Sequence, residues 1–331
     1  MDNNTQNLRR ELKRAGLSDQ AINAAWPAWW SESAGGSRSA QAELRFALAR
    51  NLGLSAKSLL GERVEFVWKD NARFKRLSGE TAEQQAALTS FGMSIARSLV
   101  IASKDGPSVV GRTALEIRAS ILRSRQFVDL TGLLALCWGV GIPSVYLRVF
   151  PLAAKSMQAM AISEAHRFAV LLGKDAMYPA SIAFTLAHEI GHIALGHVAP
   201  RSAIVDVGDF SSPSERDDDE DAADQFAMAL LTGEPQLTIQ TSTEHFGARE
   251  LAREVLEVAP ARGIEPGTLV LCLAYRTSRW PTAMAALRHI YARPSPVWRE
   301  VNQIADRQMN WSLLGSEARE YVRTVMGLNH G

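Results

Sequence analysis

The chain has 331 residues, of which 47% are hydrophobic and 21% charged, and its formal net charge is +1. That balance excludes bulk disorder, and it excludes a chain that holds polyanions through overall charge. Two cysteines are too few for a disulfide framework and fit a reduced, cytoplasmic setting.

The opening stretch, MDNNTQNLRRELKRAG, is polar and lacks the apolar run of a secretory signal. Leu8 to Ala15, Asp19 to Trp30 and Ala40 to Leu52 carry apolar residues at helical spacing. Residues 43–61 read as helix, glycine turn and short helix. That pattern resembles a helix-turn-helix, but it is common and weakly specific, which favours an ordinary helical hairpin. Residues 1–80 hold 13 Lys and Arg against 9 Asp and Glu. Trp26, Trp29 and Trp30 lie beside this excess, where they serve either core packing or the stacking of single-stranded bases.

Residues 63–77 predict a strand plus turn, and 80–103 and 112–126 predict helices. Residues 130–147 carry no charge over 18 positions. Their glycines and Pro143 favour a buried helix, a turn and a strand from Ser144 to Val149 over a membrane span. Residues 145–150, 159–162 and 167–173 are further strand readings. A long helix follows over 180–197, then a polar loop over 201–219, then a helix over 220–232. The remainder, 243–328, reads as mostly helical, with turns at 262–267 and 292–296. The resulting division is a mainly helical region 1–105, a core 106–235 and a helical region 236–331.

Chemistry concentrates in SIAFTLAHEIGHIALGH, residues 181–197. His188-Glu189-Ile190-Gly191-His192 is an H-E-x-x-H, and on a helix positions i and i+4 share one face. His188 and His192 can therefore reach one metal ion, with zinc the best fit to neutral imidazole, and Glu189 stands beside it as a general base for water. Zinc needs a third protein ligand. His197 lies about 140° off the ligand face of a continuing helix, which makes it a helix-end residue behind the ligands. Glu220, at the start of EDAADQFAMALL, is the preferred third ligand. The apolar stripe Ala223, Phe226, Ala227, Leu230 would pack its helix onto the first. Asp221 and Asp224 are the alternatives, and Asp224 also suits a bond to a ligand histidine.

HEIGH, with FTLA before it and ExxADxFA after it, resembles the ImmA/IrrE family of zinc metallopeptidases. RFAVLLGKDAMYPAS (167–181) and LLALCWGVGIPSVYL (133–147) resemble the segments leading into that family's active helix, so the likeness covers about residues 110–235. It matches His188 and His192 to the histidine ligands, Glu189 to the catalytic glutamate and Glu220 to the third ligand. The sequence departs from the family pattern at Ile182, Ala222 and the spacing of His197. The resemblance implies an α+β fold: a zincin-like metallopeptidase core, in which a small sheet packs on metal-bearing helices, with helical N- and C-terminal extensions. It implies a Zn2+ endopeptidase that acts on a regulatory protein, typically a helix-turn-helix repressor, in a stress or mobile-element response.

Further readings concern individual residues. RFAVLLG (167–173) is a candidate edge strand for binding substrate backbone. Tyr178, His245, Tyr275 and Arg276 are candidate donors to transition-state charge. Cys137 is a buried thiol or, more sharply, a thiolate that blocks the open zinc position, and Cys272 reads as core. The acid run at 215–221 lacks calcium-loop spacing and reads as a solvated loop before a helix. The competing function is a zinc-containing sensor or binding module that engages a repressor or single-stranded DNA without cleavage.

Overall fold

The computed structural model describes residues 3–75, 81–153, 157–206, 218–237, 239, 246–291 and 295–328. The chain begins with four helices, α1 (Asn3–Arg14), α2 (Asp19–Ala25), α3 (Arg38–Leu52) and α4 (Ala56–Leu60), followed by strand β1 (Ala72–Lys75). Helices α5 (Ala82–Ala102), α6 (Ala114–Leu122) and α7 (Leu130–Gly139) lead into β2 (Ser144–Tyr146), β3 (Ala159–Glu164) and β4 (Arg167–Leu172). Next come α8 (Pro179–Ala194), β5 (Ala203–Asp206) and α9 (Asp218–Thr232). The chain closes with α10 (Ala248–Arg262), α11 (Pro266–Thr277), α12 (Trp280–Ile290), α13 (Val297–Gln308) and α14 (Ser316–Val325). The architecture is mixed α+β, with one small five-stranded sheet among the described residues.

The strand order is β1-β5-β3-β4-β2. β3 runs antiparallel to both β4 and β5, while β1 pairs β5 and β2 pairs β4 in parallel. Alternation along β3 and β4 explains how the sheet holds two cores. Met160, Ile162, Ala169 and Leu171 face a core shared with α1–α5 and α14. Ala159, Ala161, Val170 and Leu172 face a second core built with α6–α9 and α13. A third, smaller cluster joins α10, α11 and α12 around Leu251, Val270 and Leu287.

Two expectations from the sequence are corrected by the sheet. Segment 167–173 is not an edge strand. It lies between β3 and β2, and its unbroken apolar run reflects burial on both faces. Residues 203–206, read as loop, form β5, which is fully buried between β1 and β3. Residues 43–61 run from α3 through a left-handed turn at Gly53 into the five-residue α4, with Leu59 packed into the core. No described helix is long and apolar enough to cross a membrane.

The outer edge of β2 is sealed by a side chain. Asn302 on α13 is fully buried, accepts from the Tyr146 N–H at 2.7 Å and donates to the Tyr146 carbonyl at 2.8 Å. A carboxamide thus stands in for a neighbouring strand. The other edge of the described sheet is β1, on the side of α9, where Arg73 pairs with Asp219.

Candidate metal centre

α8 starts at Pro179, whose missing N–H suits the first helical turn, and it runs through the second core. Ile182, Ala183, Leu186, Ala187, Ile190 and Ile193 fill that core, so the helix is apolar on most sides. α9 packs against it very closely. A Cβ on Gly191 would sit 3.2 Å from the Ala223 carbonyl oxygen and 3.2 Å from the Phe226 Cβ. Glycine between the two histidines is therefore what lets the Ala223–Phe226 face of α9 approach, and that approach brings Glu220 over the histidine pair.

The ligand atoms converge. His188 Nε2 and His192 Nε2 are 2.9 Å apart, His192 Nε2 lies 3.2 Å from Glu220 Oε1, and His188 Nε2 lies 3.6 Å from Glu220 Oε2. Nitrogen and oxygen ligands of a four-coordinate zinc lie about 3.3 Å from one another, so the three groups stand at coordination spacing. Among the described residues, His188, His192 and Glu220 are the cluster whose donor atoms can hold a metal ion. All three are buried, as is Glu189 at 0% exposure.

Each histidine is held from behind. His188 Nδ1 lies 2.9 Å from Asp224 Oδ1, one helical turn beyond Glu220. The carboxylate fixes Nδ1 as the hydrogen-bearing nitrogen and frees Nε2 for a ligand. His192 Nδ1 lies 2.9 Å from His197 Nδ1, and His197 Nε2 lies 3.5 Å from Asp219 Oδ1. His197 reaches this place because α8 ends before it. Gly196 takes a left-handed φ of 77°, and the His197 N–H returns to the His192 carbonyl. The angular argument from a continuing helix gave the right conclusion, a residue behind the ligands, and the cap supplies the geometry.

Electrostatics agree with a cation at this point. Burial opposes a charged imidazolium at His188. Hydrogen bonds that His188 donates to Asp224 and Glu220, together with the charges of Glu189 and Asp224, outweigh it and hold the His188 pKa at about 10. The acids of the first turn of α9, Asp218 to Asp221, sit at its positive end.

The remaining sequence candidates fall elsewhere. Cys137 is buried within α7, outside the His188-His192-Glu220 cluster, and burial pushes its thiol up to about 12. Cys272 is not pure core: it is half-buried on α11 and lines a groove. Tyr178 precedes His188 by ten residues, about 15 Å along the helix axis, which removes it as a donor at the centre. Tyr275 lines the same groove, Arg276 is exposed on α11, and His245 lies outside the described residues. What the sequence reading missed is this groove, formed by α11 and α12 from a region that carried no motif.

Residues 158–255 match a family model described as Peptidase U49. The match supports a peptidase. It runs from β3 through α8 and α9 into α10 and so contains the whole His-His-Glu cluster. No curated protein and no solved structure matches the chain.

Proposed function

We propose that the chain is a zinc-dependent endopeptidase with a zincin-like core, and that its substrate is a regulatory protein, a helix-turn-helix repressor above all, in a stress or mobile-element response. The reading rests on the convergence of His188 Nε2, His192 Nε2 and the Glu220 carboxylate at 2.9–3.6 Å. The peptidase family match over the same segment supports it.

The donor set, two imidazoles and one carboxylate, fits zinc and leaves a fourth position open. When bound, zinc would supply Lewis acidity to the scissile carbonyl and lower the pKa of water. His188, His192 and Glu220 would hold it. Glu189, adjacent to His188 and fully buried, would accept a proton from the attacking water and return it to the departing amine. Asp224 and His197 keep both ligand imidazoles in the tautomer that presents Nε2. Free Cys137 and Cys272 fit a cytoplasmic setting.

The alternative, a module that binds single-stranded DNA without cleavage, has less support. Trp26 and Trp30 pack against the core, Arg9 covers the Trp26 ring at 3.9 Å, and Trp29 donates to Glu317. The test is cleavage of a repressor encoded beside this chain's gene, or of casein, by the zinc-loaded protein. Glu189→Gln is expected to retain metal and lose at least a hundredfold in rate. Equal cleavage by this variant would overturn the mechanism.

A further inference from the structure

α11 and α12 face the α8–α9 pair across a groove of about 1510 Å³. Its lining reaches Asp221 and Asp224, and Asp224 is the carboxylate that holds His188. On α8, Ser181 and Thr185 line the groove, and the next residue on that face is His188. On α9, Met228, Asp224 and Asp221 line it, and the series ends beside Glu220. Asp224 thus belongs to both: one oxygen holds His188, and the residue forms part of the groove wall.

Large apolar side chains around the groove are left in solvent. Met177, Tyr275 and Met284 are 48%, 47% and 43% exposed, and all three turn onto this one concavity. A chain with three buried cores has room to cover such side chains. Their collection along one groove marks a surface built to be covered by something else. Methionine is unbranched and polarizable, and Met177, Met228 and Met284, from three segments around the groove, give it the adaptability of a site that takes more than one apolar side chain.

We propose that this groove is the substrate channel. It takes an extended peptide segment carrying large apolar side chains (Leu, Met or Phe), running from the metal centre toward the N-terminal end of α8. This proposal rests on the peptidase reading above. Tyr178, at the far end, is about 15 Å from His188 along the helix axis. Extended chain advances about 3.3 Å per residue, so the channel holds four or five residues on one side of the scissile bond. Asp221 and Asp224 line the end next to the centre. They repel an acidic side chain there, so the residue next to the cut is apolar or basic.

The experiment uses the metal-loaded full-length Glu189→Gln protein and two fluorescein-labelled octapeptides. One carries Leu, Phe and Met over four consecutive positions, and the other has Ser and Asp there. Fluorescence anisotropy is expected to show the apolar peptide binding at least tenfold more tightly. Met284→Glu, and separately Tyr275→Glu, are expected to weaken that binding at least tenfold, with metal content and melting temperature unchanged. Both positions are exposed, so neither change threatens folding. Equal binding of the two peptides, or undiminished binding by both variants, overturns the proposal. Its failure is distinct from failure of the peptidase reading. In the first case the wild type cleaves casein in a metal-dependent way without discriminating the peptides. In the second, the peptides are discriminated but no wild-type cleavage occurs.

Discussion

His188 Nδ1 and Asp224 Oδ1 lie 2.9 Å apart, which ties the first histidine of α8 to the helix that carries Glu220. One contact therefore sets the tautomer of His188 and ties together the two helices, α8 and α9, that carry the candidate metal-holding residues. Asp224→Ala is expected to weaken zinc binding by about 10- to 100-fold, read by competition with a chromogenic chelator. An unchanged affinity would mean that the carboxylate only satisfies a buried imidazole.

The second histidine is backed through a longer chain, Asp219 to His197 to His192. His197→Ala is expected to lower zinc affinity about tenfold. The double variant with Asp224→Ala is expected to show the two losses multiplied, since each acts on a different ligand. A His197→Ala protein with wild-type affinity would reduce His197 to a helix-terminating role.

Under the zinc-peptidase reading, zinc would compete with a proton for His188. Its pKa is held at about 10, so the metal-free protein carries His188 protonated at pH 7.5, whereas a zinc ligand must be neutral. Binding is expected to release about one proton, read by titration calorimetry in two buffers of different ionisation enthalpy. The sign for stability follows. A raised folded-state pKa gives the metal-free protein a contribution that is fully present below about pH 6.5 and is lost as pH rises through about 10. The melting temperature of metal-free protein is expected to fall across that window, and the zinc-loaded protein to fall less. A proton count of zero would show that Nε2 is already free.

Gly191 is the other point of close tolerance. A methyl group there meets the Ala223 carbonyl oxygen and the Phe226 Cβ, both at 3.2 Å, and backbone gives way poorly. Gly191→Ala is expected to cost about 1–3 kcal/mol in urea unfolding and to weaken zinc binding, because it pushes Glu220 away from the histidines. A stability gain with unchanged affinity would show that α9 has slack to move.

How much of this was legible in the sequence depended on how local each feature is. The positions of His188, Glu189 and His192 follow from helical geometry within five residues, and Glu220 followed from the apolar stripe that packs α9 onto α8. The sheet was harder. β5 has only four residues, and pairing between β1 and β3 makes it a strand, which no neighbouring residue reveals. The apolar run of β4 was compatible with an edge or an interior place, and only β2, sealed by Asn302 from 156 residues away, fixes it inside. His197 was placed correctly by an argument about helix phase that the glycine cap overrides. The groove was invisible because its far side comes from α11 and α12, which carry no motif, and only the fold sets them against the motif-bearing α8 and α9.

The central claim is that His188, His192 and Glu220 hold a catalytic metal. Elemental analysis of wild type and Glu220→Ala, each purified and dialysed in parallel against dilute zinc, tests it most directly. About one zinc per wild-type chain, with the variant clearly depleted, is the predicted result. A wild type that retains no metal, or a Glu220→Ala protein that retains it as fully as wild type, would contradict the account.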